Sequence, residues 1–84
     1  METAEKRLAL IGIIVEEPNS VNEINALFHQ YRDYVIGRMG LPYKERKVSV
    51  ISITIDAPQD IINTLSGKIG KLNGVSAKTI YSKI

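Results

Sequence analysis

Eighty-four residues make one small domain, and a chain of that size buries only ~60% of the surface its unfolded form exposes, so self-association is expected to add to its stability. Hydrophobic residues at 44% and charged residues at 24% describe a globular chain, not a disordered or collagen-like one. Eleven Lys and Arg against nine Asp and Glu give +2, too small an excess for a nucleic-acid footprint, and the absence of cysteine removes disulfides, iron–sulfur clusters and thiolate zinc sites and fits a cytoplasmic location.

Met1 to Lys6 is a polar lead-in to a single domain over residues 1–84. The first strand is predicted from Arg7 to Val15. Its apolar run is too short for a membrane span, and no signal-peptide layout precedes it. Alternation puts Leu8, Leu10 and Ile14 on one side and Ile11, Ile13 and Val15 on the other, so both faces ask for cover. After the turn at Glu16-Glu17-Pro18-Asn19, Ser20 and Glu23 have the spacing of a capping box. The helix that starts near Val21 carries Val21, Ile24, Leu27, Phe28 and Tyr31 on one stripe and Asn22, Asn25, His29 and Arg32 opposite. The only histidine therefore faces water, with no cysteine or second histidine to complete a metal site.

A second strand is predicted from Tyr34 to Met39, and Gly40 to Arg46 reads as an exposed connection because it combines Gly, Pro and three successive charges. The third strand, Lys47 to Asp56, presents Ile51, Ile53 and Ile55 toward the helices and the milder Val48, Val50, Ser52 and Thr54 away from them. Pro58 suits the first turn of a second helix, with Asp56 as its cap and Asp60 at its positive end. Ile61, Ile62, Leu65, Ile69 and Leu72 form its apolar stripe. Gly67 and Gly70 suggest close approach of a neighbouring backbone. Asn73-Gly74 is a left-handed stop, and Val75 to Tyr81 is the last strand.

Arg7 to Pro18 and Lys47 to Pro58 are near-copies forty positions apart: each opens on a base, runs apolar and closes on an acid, any residue, and proline. The offset persists at Val21 and Ile61, Asp33 and Asn73, Val35 and Val75, and Arg38 and Lys78. Each unit is strand, helix, strand. The whole is therefore α+β, a ferredoxin-like βαββαβ sandwich whose four-stranded antiparallel sheet carries both helices on one face. Leu8, Leu10, Ile14, Val48 and Val50 fall on the bare face with Ile36 and Ile80 beside them and Arg38 and Lys78 at the margins, an apolar surface that predicts a homo-oligomer interface.

Other constellations are weaker. Glu16 and Asp56 end neighbouring strands, and paired carboxylates could act as acid and base or bind a cation, but no nucleophile, base or third ligand stands beside them; helix capping explains them better. The central strands contain no aromatic residue on which a base could stack, and no cysteine pair marks a metal chaperone. Gly37-Arg38-Met39-Gly40 is more open to interpretation, since glycines flanking an arginine allow a ligand or another backbone to approach, and arginine pairs with carboxylates.

Ile11-Gly-Ile-Ile-Val15 with its acidic Pro turn, Tyr34-Val-Ile-Gly-Arg-Met-Gly-Leu-Pro-Tyr43, Ile55-Asp-Ala-Pro58, Leu65-Ser-Gly-Lys68 and Gly74-Val-Ser-Ala-Lys78 together resemble the small stand-alone ACT-like proteins of the iron-only hydrogenase system regulator family, from about Lys6 to Lys83. The resemblance implies an ACT-type fold related to the C-terminal domain of nickel-responsive regulators, a dimer or tetramer, and a regulatory, non-enzymatic role in ligand sensing. One histidine and no cysteine leave the nickel-binding pattern unfilled, so neither metal nor cofactor is expected. The DNA-binding segment of nickel-responsive regulators is not expected here either, so any effect on transcription would pass through a partner protein. ACT-type domains hold small effectors at subunit interfaces near the first strand-to-helix turn. That places a ligand at Glu16, Asn19 and Ser20, met by Gly37, Arg38, Met39 and Gly40 of a neighbouring subunit. The alternative is a purely structural protein-interaction module without ligand.

Overall fold

The computed structural model describes residues 5–83. Its elements in chain order are β1 (Lys6–Val15), α1 (Ser20–Gln30), β2 (Val35–Tyr43), a 3-10 turn (Lys44–Arg46), β3 (Val48–Pro58), α2 (Gln59–Gly70) and β4 (Val75–Tyr81). The strands form one antiparallel sheet in the order β2-β3-β1-β4, with strands of the two repeats alternating across it. The ferredoxin-like βαββαβ arrangement is borne out. Most of the lead-in predicted for 1–6 lies outside the described residues, and Lys6 belongs to β1.

Period-two alternation explains why the sheet has one buried face. Ala9, Ile11, Ile13 and Val15 of β1 and Ile51, Ile53, Ile55 and Ala57 of β3 are buried against Ile24, Phe28 and Tyr31 of α1 and its C-terminal flank and against Ile62, Leu65 and Ile69 of α2. Nearly every large fully buried side chain is β-branched, which suits a pleated surface and narrows the rotamers available to the core. Beside this core, Tyr81 packs its ring under Arg7, 4.4 Å from guanidinium carbon to centroid, and its hydroxyl donates to Asn63 Oδ1 at 2.9 Å, tying β4 to α2.

Several local expectations change. Ser20 does not cap α1: its hydroxyl, buried at 2% exposure, donates to the Asn73 carbonyl at 2.7 Å and joins the start of α1 to the turn before β4. The α1 N-cap is Asn19, whose N–H donates to Glu17 Oε2 at 3.1 Å. Asp56 is a strand residue and Pro58 is the N-cap of α2. A Cβ on Gly67 or Gly70 would meet nothing within 4 Å, so no backbone approaches there. Gly74 does need its hydrogen: φ is +69° and a Cβ would lie 2.7 Å from Glu17 Cβ. Its carbonyl accepts the Glu16 N–H at 2.7 Å, which pins the end of β1 to the start of β4.

The largest change is in β2, which runs on through the predicted connection to Tyr43. A bulge lies between Val35 and Gly37: Val35 pairs with Ile55 and Gly37 with Thr54, leaving Ile36 as the extra residue. β4 has no such break, since Val75 to Tyr81 pairs with β1 in unbroken register. Beyond Ile36 the sidedness of β2 is therefore reversed relative to β4, and the internal repeat ends there.

Candidate functional site

The bare face can be followed row by row from the register. Leu41, Val50, Ile14 and Ser76 form one row; Met39, Ser52, Gly12 and Lys78 the next; Gly37, Thr54, Leu10 and Ile80 a third. Tyr43 and Val48 extend it at one end, Leu8 and Asp56 at the other. Leu8, Leu10, Ile14, Leu41, Met39, Val50 and Ile80 are all 40% exposed or more, and Val48 is half-buried. Ser52 and Gly12 sink the middle row into a hollow of about 350 Å³ whose rim includes Ile14 and Val50. Met39, Leu41 and Tyr43 were not expected on this face. Their alternation was visible in the sequence, but Gly40 and Pro42 had marked Gly40 to Arg46 as a connection, and Met39 ended the predicted second strand without being assigned to this face.

Arg38 leaves this face altogether. The bulge turns it toward the helices, where its guanidinium lies 4.7 Å from the Phe28 ring centroid and its Nη2 donates to Asn25 Oδ1 at 3.0 Å. Arg32 stands nearby at the end of α1, its Nη1 donating to the His29 carbonyl at 3.1 Å and lying 3.4 Å from His29 Nε2. Asn25, Phe28, His29, Arg32, Val35 and Arg38 together line an opening of about 390 Å³. Asn25, His29 and Arg32 had been assigned only to the solvated stripe of α1; without the bulge, nothing linked them to Arg38.

The remaining predicted ligand residues lie apart from Arg38 within the chain. Glu16 closes β1 beside Gly74, and Asn19 and Ser20 begin α1, whereas Gly37, Arg38, Met39 and Gly40 pair with Ile51 to Thr54 in the edge strand. The hydroxyl of Ser20 is already committed to Asn73. Glu16 and Asp56 are not neighbours. In the antiparallel register Asp56 pairs with Leu8 and Val15 with Ser49, so the two carboxylates sit at opposite ends of the sheet. Among the described residues no group of three or more His, Cys, Asp and Glu is placed to hold a metal ion, and no helix is long and apolar enough to cross a membrane.

Comparison with known proteins gives this geometry a lineage. No curated protein matches the sequence. The uncharacterized protein TM1266 from Thermotoga maritima superposes with a TM-score of 0.90 at 31% identity, over 94% of this chain and 100% of that one. The C-terminal domain of the MgtC protein from Mycobacterium tuberculosis matches with a TM-score of 0.74 over 99% of this chain and 95% of that one, but at 11% identity it shares the fold alone. Residues 7–79 match the TM1266-like family profile, described as "Iron-only hydrogenase system regulator, putative", and the chain belongs to that family.

Proposed function

We propose that the protein is a non-catalytic regulatory module that assembles as a homo-oligomer through the bare face of its sheet and acts through partners. The observation that carries this reading is the face itself: exposed apolar residues on all four strands, Ile80 on β4, with the hollow at Gly12, Ser52 and Lys78 beside the ridge formed by Leu41, Val50 and Ile14. A second copy is the occupant that fits, because ridge and hollow lie side by side and a two-fold axis would seat each ridge in the other copy's hollow. Four strands ~4.8 Å apart and rungs of ~3.3 Å give a footprint of roughly 500 to 600 Å² before side-chain relief is counted. That approaches the ~800 Å² per partner of a stable interface. The family description supports regulation of the iron-only hydrogenase system as the setting. Light scattering of the full chain at micromolar concentration tests the reading: a dimer or larger assembly supports it, and a monomer overturns it.

A further inference from the structure

We propose that the opening between α1 and β2 is a binding site for an oxyanion, a carboxylate or phosphate group on a small molecule, with Arg38 as its principal ligand and Arg32 as the second. Every residue of it comes from one chain, so a monomer already carries the whole site.

The backbone is the first argument. A bulge interrupts the ladder and reverses the strand, and here its consequence is to bring one arginine from the sheet's bare face to the helix face. Ala77 of β4 holds the position that the bulge gives Arg38 in β2: Ala77 pairs with Ile13, as Arg38 pairs with Ile53, whereas in an unbroken copy Arg38 would match Lys78. Only the first repeat carries a cation there.

The second argument is that the guanidinium is already positioned. The Phe28 ring, itself 5% exposed, supports its plane, and the Asn25 amide oxygen accepts from one nitrogen. A guanidinium has five N–H donors in a rigid fork, so the remaining donors are available for a bidentate acceptor. Fixing the group beforehand lowers the entropy lost on binding.

The charges around the opening decide what it takes. Among the described residues its charged lining is Arg32 and Arg38, with His29 as the remaining titratable group; no carboxylate of theirs lines it, and Asp33, next to Arg32 in sequence, is not among the lining residues. The negative end of α1 opposes an anion, but two of its terminal carbonyls are occupied: Leu27 by the Tyr31 N–H, and His29 by the Arg32 N–H and the Arg32 side chain. The Arg38 guanidinium reaches back along α1 to Asn25, beyond the last turn, where that end effect has faded. The apolar contribution of Val35 and Phe28 accommodates a short carbon skeleton beside the anionic group.

The test uses the full chain labelled with ¹⁵N, titrated separately with inorganic phosphate and with succinate, and with sodium chloride at matched ionic strength. Saturable shifts centred on Asn25, His29, Arg32 and Arg38 with phosphate or succinate, absent with chloride, support the site, and the anion that binds more tightly identifies the group recognised. Arg38→Ala should weaken binding on the order of tenfold or more. Arg38→Lys should weaken it too, because it keeps the charge and loses the fork, while Arg46→Ala, in the 3-10 turn and lining neither the opening nor the hollow, should leave it unchanged. Shifts that chloride reproduces, or equal affinity in wild type and a folded Arg38→Ala chain, overturn the proposal.

Discussion

Val50→Lys puts the bare face to a quantitative test. Val50 keeps 40% of its surface in the isolated chain, in the row between Leu41 and Ile14. Complete burial of a valine side chain contributes ~1.5 to 3 kcal/mol, so covering the remainder contributes ~0.6 to 1.2 kcal/mol per copy. A two-fold pair uses the residue twice, which gives ~1.2 to 2.4 kcal/mol, or roughly 7- to 50-fold in dimer dissociation constant. That range is a floor, because the lysine must also keep its ammonium group hydrated within an apolar contact. In the isolated chain the position is exposed, and the substitution should change the stability of the monomer by no more than ~0.5 kcal/mol. Sedimentation velocity over a concentration series separates the two effects. Wild type should show a mass that rises with concentration and a Tm that follows it, while Val50→Lys should remain monomeric with a Tm independent of concentration. A variant that assembles as wild type does would refute the reasoning, and so would an equal fall in Tm at every concentration without a change of mass.

Two substitutions examine the helix and turn geometry through urea unfolding. Gly67 lies inside α2 with open space where a Cβ would go, so Gly67→Ala should stabilise the fold by ~0.5 to 1 kcal/mol; destabilisation would mean that a backbone does approach there. Gly74→Ala should destabilise by more than ~1 kcal/mol, since the left-handed φ and the 2.7 Å approach to Glu17 Cβ both act against it. Asparagine, which tolerates a left-handed φ, should not rescue that position, because its Cβ meets the same contact.

The fold was legible because its signals are local and repeated. Alternation in β1 and β3, the stripes of Val21, Ile24, Leu27, Phe28 and Tyr31 and of Ile61, Ile62, Leu65, Ile69 and Leu72, and the forty-residue offset all point to one topology. Of the stripe residues, Val21, Leu27, Ile61 and Leu72 are partly buried against the core and the rest are buried in it. What failed to show depends on long-range partners or on a single backbone irregularity. Ser20 has the spacing of a capping residue, yet its acceptor is Asn73, 53 positions away, which no local pattern reveals. Sidedness in β2 fails at Ile36 because a bulge inserts one residue, and one residue is enough to move every later side chain to the other face. The supposed meeting of Glu16 and Asp56 was an error of geometry rather than of sequence. Both close their strands, and antiparallel neighbours have their closing ends at opposite edges.

The same bulge connects the two proposals. By reversing β2 it sends Arg38 to the helix face and, with the next residues in alternation, delivers Met39 and Leu41 to the bare face. The arginine proposed to bind the anion and two of the proposed apolar contacts therefore lie within four residues of one another on an edge strand hydrogen-bonded to β3. An anion held by Arg38 would restrain this strand, and assembly over Met39 and Leu41 would restrain it as well, so each would lower the ordering entropy the other must overcome. The coupling is reciprocal: whatever factor the ligand adds to the association constant, association adds to ligand affinity. Val50 lies on β3, away from the anion site, so Val50→Lys removes assembly without touching a ligand residue. Phosphate or succinate should bind that monomer more weakly than it binds the assembled wild type, and the affinity ratio measures the coupling. Equal affinities would show that the two faces of β2 act separately.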